Sequence, residues 1–362
     1  MRVPWARLLF PACLVATAGL GQNQLAPVPS DPLELATGPV QIADTADKRA
    51  AILTLLERAR QNDNLHAPAG APFDLKVSFV SSGQSLYTGP GKMEEVWMSP
   101  GTWRWTAHLG DYSQSRIFHN GFAYDTNAHA YLPLRLHVIR SAIFWPISGN
   151  LASLLIRTAA ANWKGIPVTC ALISGTRSVV MATPGRRWQE EEFCVDPKSG
   201  LLETYSVAPG IYNVYDYSNA FQFHGSTIAR QISIVENGIP VVQAQLEVLQ
   251  DAGAVDSGSF TPTAEMQGPG VVIRAPLRLS QFVRNIPMTS GTIQPVIVHA
   301  ALDASGKVLE AEALQTTDAL ISEAALQLVR SSNYGPPTGP GVVPLQREVF
   351  INVQFLPPRQ AN

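Results

Sequence analysis

The side chains that could do chemistry are spread thinly along this chain. Seven histidines occur without His-x-His or His-x-x-x-His spacing, so no ready zinc site is legible. His119 and His129 could converge only through folding. No Gly-x-Ser-x-Gly nucleophile turn is present. Gly89-Pro90-Gly91-Lys92 has a superficial likeness to a phosphate loop. The upstream glycine is missing, however, and Met93 stands where a Mg²⁺-binding hydroxyl is needed, so a hairpin turn is expected instead. Glu190-Glu191-Glu192 beside Arg186-Arg187 is the densest charge cluster. On a strand alternate residues face opposite ways, so solvated edge charges are expected rather than an acid/base pair. The expectation is a protein that is not an enzyme, with no cofactor and no metal. A hydrolase assembled from scattered His and Glu residues is the weakest alternative.

Cys170 and Cys194 are expected to form a disulfide, the alternative being two buried thiols. Cys13 lies inside an apolar N-terminal run. That run, Leu8–Leu20, follows Arg2 and Arg7 and contains the small residues Ala16-Thr17-Ala18, as in a cleavable export signal over residues 1–21. An uncleaved anchor is the alternative. Residues 22–43 read as a flexible leader, and export implies a periplasmic or secreted location.

Composition narrows the partners. The 362 residues are 46% hydrophobic and 15% charged, with a formal net charge of −2, which supports packed cores and excludes disorder. No basic cluster exists, so nucleic acid is not an expected partner.

The elements that must position these residues follow from periodicity. Asp44 is placed to cap a helix through Arg60, with Ile52, Leu55, Leu56 and Ala59 on one stripe. From Phe73 to Thr126 short β-like runs alternate with turns at Ser99-Pro100-Gly101 and Asn120-Gly121. Leu134–Trp145 and Leu151–Trp163 read as two apolar helices, and strands resume from Pro167 to about Leu249. A curved antiparallel sheet with helices over its inner face is expected.

Val96-Trp97-Met98-Ser99-Pro100 with Trp103-Arg104, then Val195-Asp196-Pro197-Lys198-Ser199-Gly200-Leu201-Leu202, then Ala229–Ile234 followed by Asn237-Gly238, make the region from about 65 to 250 resemble the LolA/LolB-like lipoprotein carriers. The resemblance implies a half β-barrel over residues 44–255 whose concave side takes an apolar ligand, a lipid or a lipoprotein. Trp97, Trp103, Trp105, Phe118, Ile143, Phe144 and Leu154 are the candidate lining residues. Each could equally be plain core.

After a linker at 256–269, the chain carries a strand–turn–strand–helix–strand pattern. Val296, Val298, Ala300 and Leu302 share a face, Asp303–Gly306 turns, Leu309, Ala311 and Ala313 alternate with Glu310 and Glu312, Asp318 caps a helix, and Val349, Ile351, Val353 and Phe355 close. This order resembles the C-terminal domain of TonB-family proteins, over residues 270–357 with a tail at 358–362. It implies a small α+β module that engages an outer-membrane or periplasmic protein by strand addition. Glu348, Phe350, Asn352 and Gln354 are the candidate docking edge, and core closure is the alternative. Ile286-Pro287 stands where the family has Tyr-Pro. The fold class expected for the whole chain is α+β. Its expected function is non-catalytic binding or transport in the cell envelope, the alternative being a scaffold that makes protein contacts only.

Overall fold

The computed structural model describes residues 40–66, 70–120, 122–126, 131–175, 185–267, 277–283, 294–315, 318–336 and 346–356. The export signal, most of the leader, Gly121, His129, Ile286-Pro287 and the tail lie outside the described residues.

The first strands are β1 (Gln41–Ile42), β2 (Phe73–Ser81), β3 (Gly89–Ser99), β4 (Thr102–Leu109), β5 (Tyr112–His119) and β6 (Phe122–Asp125). They are followed by β7 (Leu155–Trp163), β8 (Ile166–Ser174), β9 (Glu191–Val195), β10 (Leu202–Ala208) and β11 (Ile211–Asp216). A small hairpin, β12 (Phe221–Phe223) and β13 (Ser226–Ile228), precedes β14 (Gln231–Glu236) and β15 (Ile239–Asp251). The C-terminal part holds β16 (Leu277–Val283), β17 (Gln294–Leu302), β18 (Val308–Gln315) and β19 (Arg347–Phe355). Three helices complete the set: α1 (Ala46–Asp63), α2 (Leu134–Phe144) and α3 (Ala319–Ser331).

Thirteen strands form one antiparallel sheet in the order β1-β7-β8-β9-β10-β11-β14-β15-β2-β3-β4-β5-β6. It is open, because β1 and β6 do not pair with each other. Most neighbours are sequential hairpins; the long-range pairing of β15 with β2 joins the two halves. Turn chemistry sets the hairpins. Asn237 (φ 48°) and Gly238 (φ 75°) make the two-residue turn between β14 and β15, the tight connection whose twist matches paired strands.

Three expectations are corrected here. Leu151–Trp163 is not a helix: after a single turn at Leu151–Ser153 the chain runs as β7 and pairs with β8. The reason lies in Lys164-Gly165, both at positive φ, which fold the chain back so that Ala159 sits opposite Cys170. Gly89–Lys92 is the start of β3 rather than a turn, and Gly91 lies beneath the Phe79 ring, where a Cβ would come within 2.2 Å of ring carbon. Helix α1 is capped by Thr45, whose hydroxyl accepts the Lys48 N–H at 3.3 Å, while Asp44 pairs with the Lys48 side chain.

The C-terminal sheet has the order β16-β19-β17-β18, with β16 parallel to β19 and the other pairs antiparallel. Asp318 caps α3 by accepting from Leu320 and Ile321, as expected. One face of this sheet, Val296, Val298, Ala300, Leu302, Val349, Ile351, Val353 and Phe355, packs under Ala325, Leu326 and Val329 of α3. Ile297, Leu314 and Phe350, on the other face, belong to the large core of the thirteen-stranded sheet. The segment after β15 is also held to that sheet: Phe260 is buried, and Gln267 exchanges two backbone bonds with Asp125.

Candidate functional site

Helix α2 lies between the thirteen-stranded sheet and the C-terminal sheet, and two buried arginines in a largely apolar helix determine how. Arg140 occupies an aromatic box. Its guanidinium carbon is 4.5 Å from the Trp105 ring centre, 5.3 Å from Phe144, 5.5 Å from Trp145 and 5.7 Å from Trp103. It donates to Glu95 Oε2 at 2.9 Å, while Glu95 Oε1 meets His66 Nε2 at 2.5 Å and the His66 ring stacks on Phe144 at 4.2 Å. Burial pushes the Glu95 carboxyl up, but the charges and bonds of His66 and Arg140 overcome it and hold the group below its ordinary range.

This arrangement decides the status of the cavity candidates. Trp97, Trp105, Ile143 and Phe144 are buried core around α2. Trp103 and Phe118 are cross-strand partners that stack at 5.3 Å and are half-buried. Trp97 stacks on His66 and Phe73. Leu154 lies elsewhere: with Leu151, Ile173, Trp188, Glu191 and Arg278 it lines a cavity of about 380 Å³ between β8, β9 and β16.

The other end of α2 meets the C-terminal sheet. Arg135 bonds Glu236 of β14 and, at 2.9 Å, Glu312 of β18. Glu310 Oε2 accepts the Leu134 N–H at 3.1 Å, and its Oε1 accepts the Ser85 hydroxyl at 2.7 Å. Gln346 makes a two-way amide pair with the Leu132 backbone at 2.7 and 2.9 Å. Glu348 sits between His137 Nε2 at 2.5 Å and His299 Nε2 at 2.6 Å. Burial raises the Glu348 carboxyl, yet His137 and then His299 outweigh that and hold it far below its usual range. Glu312 goes the opposite way: burial first and the Glu236 carboxylate next push it well above its ordinary value, with Arg135 offsetting only part.

These bonds correct the docking edge. Glu348, Phe350, Asn352 and Gln354 are all buried, and β19 is paired on both sides. An internal strand has no free backbone groups to offer. Among the described residues, the edge strands of the sheet are β16 and β18. On β16, Leu277 is 45% exposed and Phe282 61%. Leu279 and Val283 pack toward α3, and Arg278 donates to the carbonyls of Trp188, at 3.0 Å, and Val207.

The acidic run is corrected too. Glu190 and Glu192 are buried, Arg157 grips Glu190 through two bonds of 2.7 and 2.6 Å, and Arg186 reaches Glu192, Ser206 and the Glu190 carbonyl. Strand β9 is central, so its charges had to find partners inside. The Cys170–Cys194 disulfide is formed, joining residues directly opposite on β8 and β9. With Glu192 these cysteines form the one cluster of metal-ligand type among the described residues, and their sulfurs are committed to the bridge.

No family model and no curated protein matches this sequence significantly. Among solved structures, the chain is similar to a LolA superfamily protein of Nitrosomonas europaea, with TM-score 0.38, 10% identity, and coverage of 58% of this chain and 97% of that one. It is similar to a putative outer membrane lipoprotein-sorting protein domain of Vibrio parahaemolyticus, with TM-score 0.35, 9% identity, and coverage of 57% and 95%. The MucA/MucB complex of Pseudomonas aeruginosa contains a chain similar at TM-score 0.26 and 16% identity, covering 61% of this chain and 63% of that one. At these levels the functional reading rests on this chain's own geometry.

Proposed function

We propose that this is a non-catalytic, exported binding protein of the cell envelope, and that its partner is a protein segment added as a strand along β16. The observation that supports this reading is the β16 edge: paired on one side only among the described residues, and carrying exposed Leu277 and Phe282. Unpaired backbone groups bind an extended segment, and alternate apolar side chains give it selectivity. The TonB-like resemblance supports the mode of docking but with a different strand from the one expected. Uptake of a lipid or lipoprotein by the half-barrel is the second component. Of the candidate contacts, Leu154 is the one with a cavity beside it, next to Leu151, Ile173 and Trp188, where an apolar chain would fit.

Selection of extended peptides from a displayed library on the full chain tests the docking component. Peptides with alternating apolar residues should emerge, and Phe282→Glu should weaken them about tenfold, ~1.4 kcal/mol. Peptides that bind Phe282→Glu as tightly as the parent would sink the reading.

A further inference from the structure

The junction between α2 and the C-terminal sheet carries more acid than it can balance. Three buried carboxylates converge there, Glu236 from β14 and Glu310 and Glu312 from β18, around a single guanidinium, Arg135. Ser85, Tyr131 and the Leu134 N–H supply neutral contacts only. The remaining ionisable groups of the junction are committed elsewhere. His137 and His299 both face Glu348, and Arg278, stacked over Phe350, donates to the Trp188 and Val207 carbonyls and lies beside Glu191. Like charges enclosed together cannot all ionise, so the seated state retains a proton. Glu312, raised by burial and by Glu236, is the group placed to hold it.

The junction is also built to part along one plane. Arg140, Glu95 and the aromatic box fix α2 to the thirteen-stranded sheet, and Tyr215 donates to the Ala142 carbonyl from the same side. Arg135–Glu236 stays within that unit, whereas the contacts to Glu310, Glu312, Gln346 and Glu348 cross to the C-terminal sheet, as do the Arg278 bonds to Trp188 and Val207 and the shared core at Ile297, Leu314 and Phe350.

We propose that the C-terminal sheet is a proton-dependent lid on α2, seated firmly in mildly acidic conditions and loosened as pH rises. The sign follows from linkage. A carboxyl whose seated value lies above its free value favours the seated state below the ordinary carboxylate range, and that advantage is lost as pH rises through the seated value. The acids that seat the lid, on β14 and β18, are separate from the exposed β16 side chains Leu277 and Phe282.

Hydrogen exchange of the full chain between about pH 5 and about pH 9, corrected for intrinsic rates, tests it. Amides of α2 and β18 should lose protection by up to about tenfold per pH unit over the range in which the seated Glu312 gives up its proton, and level off above it, while those of β8 and β9 stay protected. Glu312→Gln, which mimics the protonated acid, should flatten the response. Unchanged protection of α2 and β18 in the parent protein would overturn the lid, as would equal loss in β8 and β9. A folded Glu312→Gln variant that keeps the parent's pH response would overturn it too. If that variant does not fold, the parent's two sets of amides still decide.

Discussion

Arg140 is the residue on which the half-barrel interior depends. A buried guanidinium stripped of its carboxylate, or a carboxylate stripped of its guanidinium, leaves a charge without compensation, at a cost of about 3–5 kcal/mol. Arg140→Ala and Glu95→Ala are each expected to destabilise the protein by that amount, read from the urea midpoint of unfolding. Arg140→Lys should recover less than half, because an ammonium cannot present a plane to Trp105 and Phe144 while bonding Glu95. Acid should act through the same groups. Glu95 and Glu348 both lie below their ordinary values, so the stability they contribute is present above about pH 4.5 and is lost as pH falls below that. A urea midpoint that declines on acidification in the parent but less steeply in Glu348→Gln would show it; identical slopes would not. At this scale the sequence was only partly legible. The aromatic residues stood out, and their burial was one of the two readings open. Arg135 and Arg140 were the missed signal: charges set in an apolar helix imply buried partners, but the partners Glu95, Glu236 and Glu312 lie 45, 101 and 177 residues away.

The elements were read best where local chemistry decides them. Asn237-Gly238, Asp196–Gly200, Ser99–Gly101 and Asp318 act through nearby backbone groups, and each turn or cap falls where its residues place it. Leu151–Trp163 was misread because an apolar run containing three consecutive alanines satisfies a helix or a buried strand equally, and pairing with β8 decides it. The docking edge failed for a related reason. Alternation on β19 shows a two-faced strand, but which strand is terminal depends on β16, whose neighbours in sequence are remote from β19. The disulfide between β8 and β9 spans 24 residues, so reducing it should cost ~3 kcal/mol in the chain-entropy picture. The midpoint with and without reductant measures this, and no change would mean that sheet pairing alone holds the two strands.

For the whole molecule, the half-barrel and the C-terminal sheet share one core through Ile297, Leu314 and Phe350. Burying three such side chains contributes roughly 1.5–3 kcal/mol each, which binds the two units into one body under closing conditions. A carrier with an open interior would need α2 to leave the aromatic box. An acyl chain bound to the purified chain is therefore expected beside Leu154 and not in the aromatic box: Leu154→Trp, which fills the cavity next to Ile173 and Trp188, should abolish its retention in native mass spectrometry, and Phe118→Ala should leave it unchanged. The packing of the two sheets on each other was not legible, because it rests on buried acids that look like ordinary surface charges. The central claim is that partners are taken on the β16 edge. Amide exchange of the full chain with and without a selected extended peptide tests it most directly. The expected result is new protection confined to Leu277–Val283; protection of the α2 and β3–β5 amides instead, with β16 unchanged, would contradict it.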